Sequence, residues 1–116
     1  DPRGQHLGGF ILPGPLLARD CLLAKTAIPH DPEIEADARL GRDTATAVAL
    51  GARYAVAGLV ERAIGASDLT GHERPFQVVI GGGDADVFAP LLPAGSIKLD
   101  HLVLRGLAVV AANEGD

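Results

Sequence analysis

Three consecutive glycines, Gly81–Gly83, are the first residues of this chain whose type and spacing could support chemistry. They follow Gln77–Ile80, a run that suits a buried strand, and they precede the acidic pair Asp84 and Asp86. Glycine adopts positive φ readily and lets another group approach the main chain closely. A helix beginning after the glycines would direct its free N–H groups toward the loop. The segment could therefore hold an anion or a nucleotide, although a plain turn between strand and helix would look the same.

A second polar group lies at Thr44, at the predicted N-terminus of a long helix. Its hydroxyl and the neighbouring backbone N–H groups could bind a polar ligand. Asp43 or Thr44 could equally cap the helix by accepting a hydrogen bond from a free N–H of the first turn. The same alternative applies to Asp84 and Asp86, which could hold a metal-bound phosphate or stabilise a helix start. At both places the residues alone leave the alternatives open.

The remaining reactive side chains form no recognisable catalytic or metal site. Ser67 and Ser96 have no obvious histidine partner, and His30 beside Asp31 has no second His or Cys at ligand spacing. We therefore predict no catalytic residue and no metal ligand in this chain. The lone cysteine, Cys21, is interpreted as a small buried residue and fits a reducing cytoplasm.

Composition argues against two classes of partner. The net charge is −5 and the ten basic residues are scattered, whereas a nucleic-acid surface needs clustered Lys and Arg. The most apolar run, residues 45–60, contains Arg53 and is too polar and too short for a membrane span. No signal peptide is visible. We expect a cytoplasmic protein that binds neither nucleic acid nor membrane.

The chain has 116 residues, 47% of them hydrophobic, which suffices for one core of the α/β class. It opens at Asp1 and contains no methionine, which predicts a piece of a longer protein. The first and last predicted helices are so apolar that we expect both to be buried. The predicted elements are strand Gln5–Leu12, helix Leu16–Ile28, helix Ala45–Ile64, strand Gln77–Ile80, helix Ala85–Ala89, strand Ile97–Leu99 and helix Leu102–Ala112.

Small residues form a strip along the long central helix. Ala47, Gly51, Ala55 and Gly58 recur at steps of three and four residues, so they share one face. The strip would let another helix approach closely, either within the domain or across a dimer interface.

Four segments read together resemble the C-terminal half of a type III pantothenate kinase. Their order and spacing carry the resemblance, which covers essentially the whole chain. The segments are Gly8–Gly14, Leu40–Thr44 with Ala47 and Gly51, Gly81–Ala85, and Leu102–Leu107.

The resemblance implies an actin-like, sugar-kinase-type (ASKHA) fold related to ribonuclease H, with residues 1–116 as its C-terminal α/β domain and the N-terminal half absent. It implies ATP-dependent phosphorylation of pantothenate to 4'-phosphopantothenate in coenzyme A biosynthesis. A divalent metal such as Mg²⁺, a monovalent cation (K⁺ or ammonium) and a homodimer are implied as well. The family's catalytic Gly-x-Asp-Arg segment and its phosphate motifs do not appear here, so we expect this chain to bind but not to catalyse alone. The alternative is a non-catalytic dimerisation or transcription-accessory module of the same family.

Carried over residue by residue, the resemblance assigns three positions. Thr44 matches the threonine that contacts pantothenate, whereas Gly82 and Gly83 match the Gly-Gly of the adenosine-side loop. This chain has Gly81 where the family usually has Thr, a departure that bears on nucleotide binding rather than on the fold.

Overall fold

The computed structural model describes residues 3–28, 38–65 and 76–113. The chain divides into two compact units, Asp1–His72 and Glu73–Asp116, which we describe separately. The elements in chain order are α1 (Pro15–Lys25), α2 (Thr44–Gly65), β1 (Val79–Ile80), α3 (Ala85–Phe88), a 3-10 turn (Ala89–Leu91), β2 (Ile97–Lys98) and α4 (Leu102–Asn113). The presence of helices and a short parallel sheet confirms the predicted α/β class.

The first unit is built on the packing of α1 against α2. Helix α1 begins at Pro15, where a missing N–H costs no hydrogen bond, and it ends at Lys25. The helix stops three residues earlier than predicted because Thr26 leaves the helical conformation and its hydroxyl donates to the Leu22 carbonyl at 2.8 Å. Helix α2 agrees with its predicted extent, and its buried residues are Thr46, Ala49 and Ala57.

The predicted strand Gln5–Leu12 is wrong, since residues 4–14 form neither helix nor strand. Gly8 has a φ of +122°, which interrupts an extended run. A strand also needs a neighbour to satisfy its backbone groups, and the described residues pair none with this segment.

In the second unit, β1 and β2 form a parallel pair with Val79 opposite Ile97. The Ile97 N–H donates to the Val78 carbonyl and the Leu99 N–H to the Ile80 carbonyl, both at 2.9 Å. The connection runs through α3, whose Ala85 and Phe88 are buried. Pro90 lies in the 3-10 turn that follows Phe88, because proline cannot continue the helix.

The expected burial of the first and last helices is wrong for the described residues. No residue of α1 or of α4 is buried, and Val103 on α4 is 75% exposed. Cys21 on α1 is exposed as well, so it is not a buried residue here. These helices have wide apolar surfaces, but the elements that pack against them cover only a small part of each. Among the described residues, no helix is long and apolar enough to cross a membrane.

Candidate functional site

An open groove of about 710 Å³ lies between α1 and the first half of α2 in the first unit. Its polar end is the loop that precedes α2, and its floor consists mainly of small and aliphatic side chains. The groove is lined by Ala18, Arg19, Leu22, Gly41, Arg42, Asp43, Thr44, Ala47, Val48, Gly51 and Ala52.

The N-terminus of α2 is capped by Asp43. Its carboxylate accepts a hydrogen bond from the Thr46 N–H at 2.8 Å, and its carbonyl accepts one from the Ala47 N–H at 3.0 Å. The bond from the Thr46 backbone, followed by one from the Thr46 side chain, lowers the pKa of Asp43. The carboxylate is therefore charged at neutral pH, as suits the positive end of a helix dipole.

This cap bears on one of the two interpretations of Thr44, that of a helix cap. Because Asp43 takes the capping role, the Thr44 hydroxyl is not needed for it. Thr44 is the first residue of α2, is exposed and lines the groove. The structure thus places the predicted substrate-binding residue where a ligand can reach it.

Two contacts hold the loop before α2 against the helix. A Cβ at Gly41 would overlap the backbone N and Cα of Ala47 and lie 2.7 Å from the Ala47 Cβ, so only glycine fits this approach. In addition, the Tyr54 hydroxyl donates to the Arg39 carbonyl at 3.2 Å. The polar end of the groove is therefore fixed by a close approach of main chain at Gly41 and by a side-chain hydrogen bond from Tyr54, neither of which the sequence shows directly.

The glycine loop of the second unit borders a smaller cavity of about 400 Å³. Gly82 has a φ of +108°, and its carbonyl accepts a hydrogen bond from the Ala85 N–H at 3.2 Å, which closes the turn. Gly82 and Gly83, the predicted cofactor-binding residues, thus lie together in one cavity. Its lining is Gly81–Gly83 and Asp100–Leu104.

The helix end beside the glycine loop differs from the expected one. Helix α3, which follows the glycines, has four residues. It is instead the first turn of α4, from Leu102, that lines the cavity with the glycines. Sequence reasoning missed Asp100 and His101, which come just before that turn. His101 has a φ of +54°, which is uncommon for a residue other than glycine.

Gly81 has the closest contacts of the three glycines. A Cβ there would lie 2.9 Å from the Leu99 carbonyl oxygen and 2.9 Å from the Leu102 Cβ. At Gly83 an added Cβ would meet nothing within 4 Å. In this chain Gly81 is therefore a packing requirement, because the end of β1 lies against the start of α4.

The acidic residues after the glycines have structural partners. The Asp84 carbonyl accepts hydrogen bonds from the Val87 and Phe88 N–H groups at 3.0 and 3.3 Å. The Asp86 carboxylate accepts one from the Lys98 ammonium at 2.6 Å, and this bond raises the pKa of Lys98. Within the described ranges, no group of three His, Cys, Asp or Glu side chains could hold a metal ion.

The serine and histidine side chains considered in the sequence form no further site among the described residues. The Ser96 hydroxyl donates to the Pro93 carbonyl at 2.6 Å and stabilises the turn before β2. His30, Asp31 and Ser67 lie outside the described residues.

Comparison with known proteins gives the family. The sequence profile described as type III pantothenate kinase matches residues 1–66. Proteins named type III pantothenate kinase are 36% identical over 112 residues in Janthinobacterium sp. (strain Marseille) and 37% identical over 116 residues in Alkalilimnicola ehrlichii. These alignments cover 93% and 98% of this chain but only 42% and 45% of the relatives.

This α/β chain, with its groove at the capped start of α2 and its glycine loop, is thus matched along nearly its whole length by proteins named type III pantothenate kinase. The chain belongs to the type III pantothenate kinase family, which confirms the resemblance seen in its sequence. It spans less than half the length of the curated relatives it matches.

Proposed function

We propose that this chain takes part in the ATP-dependent phosphorylation of pantothenate to 4'-phosphopantothenate, as the C-terminal α/β part of an ASKHA-type kinase. The observation that carries the proposal is the groove at the start of α2, where Asp43 caps the helix and leaves the Thr44 hydroxyl available. A hydroxyl at the mouth of a partly apolar groove suits pantothenate, which combines two hydroxyls, an amide and a carboxylate with a dimethyl carbon.

In this proposal the two units bind different molecules. Thr44 forms a hydrogen bond to pantothenate, and Gly82 and Gly83 let the adenosine side of ATP approach the main chain. Positive φ at Gly82 and the open space beside Gly83 are compatible with such an approach. The loop offers main-chain groups with no bulk from side chains, so it can accept a flat or extended ligand.

We expect the chain alone to be inactive. Phosphoryl transfer depends on groups that position the reactants and neutralise charge at the phosphates, and a catalytic aspartate in a Gly-x-Asp-Arg segment is absent from the 116 residues. The described residues also lack a cluster for the implied divalent metal or monovalent cation. We therefore assign those ions to no residue here and derive no step from them.

Two assays test the proposal. In a coupled assay with ATP, pantothenate, Mg²⁺ and K⁺, we expect turnover from the full-length Janthinobacterium relative and none from this chain; clear turnover by the chain would contradict its dependence on missing groups. Calorimetric titration with pantothenate then tests Thr44. Thr44→Val keeps the shape and removes the hydroxyl, which should weaken binding about tenfold, whereas Thr44→Ser should retain it.

A second candidate function is a dimerisation or transcription-accessory module without catalysis. It is favoured by the small-residue strip of α2, because Ala47, Gly51, Ala55 and Gly58 are all exposed. A homodimer through Ala55 and Gly58 is compatible with either function, whereas one that also covers Ala47 and Gly51 would close the groove. Both functions would operate in the cytoplasm, where the lone thiol of Cys21 stays reduced.

Sedimentation velocity distinguishes a dimer formed through the small-residue strip from a monomer. We expect a dimer that Gly51→Leu and Gly58→Leu both weaken, because each adds bulk where the added Cβ meets nothing in the monomer. Gly58 does not line the groove, so its variant separates dimerisation from ligand binding. A monomer unaffected by either change would remove the interface role.

A further inference from the structure

We infer that Arg42 binds the carboxylate of pantothenate and thereby sets the direction in which the substrate lies in the groove. The inference rests on the proposed function and names a residue that neither the resemblance nor the relatives' names assign. It places the carboxylate at the loop before α2 and the dimethyl carbon over the small residues of α2.

Two arginines line the groove of a chain that is acidic as a whole. The whole chain has a net charge of −5, yet the residues that line the groove include Arg19 and Arg42 and one acid, Asp43. The Asp43 carboxylate already accepts the bond from the Thr46 N–H. A guanidinium that no carboxylate of the described residues pairs with would attract an anionic ligand to this place.

Of the two arginines, Arg42 is the one available to a ligand. The Arg19 guanidinium bonds to the Asp20 carboxylate, with its Nε at 3.0 Å and its Nη2 at 2.8 Å from Oδ1. In the described part of the chain no carboxylate pairs with Arg42. A guanidinium matches a carboxylate with two parallel hydrogen bonds, so Arg42 can take the acid group in a defined orientation.

The rest of the groove suits the other end of the molecule. From Thr44 the lining continues along α2 with Ala47, Val48, Gly51 and Ala52, while Leu22 contributes from α1. These side chains offer no hydrogen bond and little bulk. An amphipathic substrate with its acid group on Arg42 would lay its branched carbon on this apolar floor.

A ligand that lacks only the acid group tests the inference. In pantothenol a primary alcohol replaces the carboxylate, and the dimethyl end is unchanged. Both ligands are titrated calorimetrically into the wild-type chain, Arg42→Gln and Arg42→Lys. For each variant, the loss of affinity for pantothenate is then compared with the loss for pantothenol. Arg105→Gln is the matched control, because Arg105 is exposed on α4 and does not line the groove.

We expect Arg42→Gln to weaken pantothenate binding about tenfold or more and pantothenol binding less than twofold. Arg42→Lys keeps the charge but not the paired geometry, so its loss should fall between wild type and Arg42→Gln. Arg105→Gln should leave both affinities unchanged. The circular dichroism spectrum of each variant should match that of the wild type. If one of the two Arg42 variants unfolds, the other is compared with the wild type.

Equal losses for both ligands, or no loss for either, would overturn the role of Arg42 while leaving the proposed function standing. Failure of the wild-type chain to bind pantothenate would instead contradict the proposed function and the inference with it. A wild-type preference for pantothenate over pantothenol that persists in both Arg42 variants would assign the carboxylate to another residue.

Discussion

The groove of the first unit and the glycine loop of the second differ in what they present to a ligand. The groove presents side chains, with the Thr44 hydroxyl and the Arg42 guanidinium beside an apolar floor. The three glycines of the loop present main chain alone. Side-chain groups can recognise one small molecule specifically, by the positions of its polar atoms. A main chain without side chains recognises shape and hydrogen-bonding groups less specifically. This contrast fits a specific substrate in the first unit and a common nucleotide in the second.

The two places are nevertheless fixed in the same physical way. In each, a glycine that admits no side chain holds a loop against the start of a helix: Gly41 against α2 and Gly81 against α4. The contact at Gly41 involves the helix backbone, while that at Gly81 involves a carbonyl oxygen and a side chain. The groove should therefore be the less tolerant of substitution.

Gly41→Ala is expected to have the largest effect. The added methyl overlaps the Ala47 backbone, which cannot move without shifting the first turn of α2, so we expect a loss of about 3 kcal/mol in the free energy of unfolding. Urea denaturation measures it. Gly58→Ala is the matched control, since its Cβ meets nothing within 4 Å and alanine favours the helix by up to about 1 kcal/mol. Equal stabilities for the two variants would show that the loop is not held at Gly41.

Gly81→Ala is expected to cost about 2 kcal/mol, because the added methyl would lie 2.9 Å from the Leu99 carbonyl oxygen and from the Leu102 Cβ, a less severe overlap than that of a Cβ at Gly41 with the Ala47 backbone. Gly83→Ala has open space for its methyl and serves as the control. Urea denaturation should show the difference in stability between the two variants. If Gly83→Ala proved the more damaging to stability, the close approach of Gly81 to α4 would be wrong.

Asp43→Asn should lower stability by an amount that depends on pH and is smaller than the loss from either glycine change. The pKa of Asp43 is lowered by its bonds to Thr46, so its charged form stabilises the folded state at any pH above the unfolded value of about 3.9. That contribution disappears as the pH falls through the lowered folded value. Asparagine retains an acceptor for the cap without the charge. The wild type should therefore be the more stable at pH 7, and the difference should shrink below about pH 4; a difference that grows in acid would contradict the assignment.

Lys98→Met should have the smallest effect. The Lys98–Asp86 ion pair is short, at 2.6 Å, but its ammonium and carboxylate are exposed, and such pairs contribute little to stability. Asp86 raises the pKa of Lys98, so the contribution is present below the unfolded value of about 10.4 and is lost as the pH rises through the raised value. We expect the urea midpoint at pH 7 to be unchanged within error. A loss comparable with that of Gly81→Ala would mean that this pair holds the sheet.

Local rules predicted the elements that depend on local sequence. Helix α2 and its cap at Asp43 follow from residues within a few positions of each other. The strand over Gln5–Leu12 failed because a strand depends on a partner and because Gly8 interrupts it. Burial of α1 and α4 failed because it depends on the surfaces that surround them, which local sequence does not describe.

The candidate site residues Thr44 and Gly82–Gly83 come from a resemblance, and their binding roles stay predictions. Each of them lies at the edge of a cavity. Arg42 was overlooked because a single arginine in a motif carries no signal until its neighbours are known. The close approach of Gly81 to Leu99 and Leu102 joins residues about 20 positions apart, so no pattern within the glycine segment could reveal it.

We propose that this chain binds pantothenate in the first unit and ATP in the second. Titration of the ¹⁵N-labelled chain with each ligand, followed by amide chemical shifts, tests it directly. Pantothenate should shift the amides of residues 41–48, and ATP those of residues 81–85 and 100–104. Shifts from both ligands in the same segment, or no shift near Thr44 with pantothenate, would contradict the account.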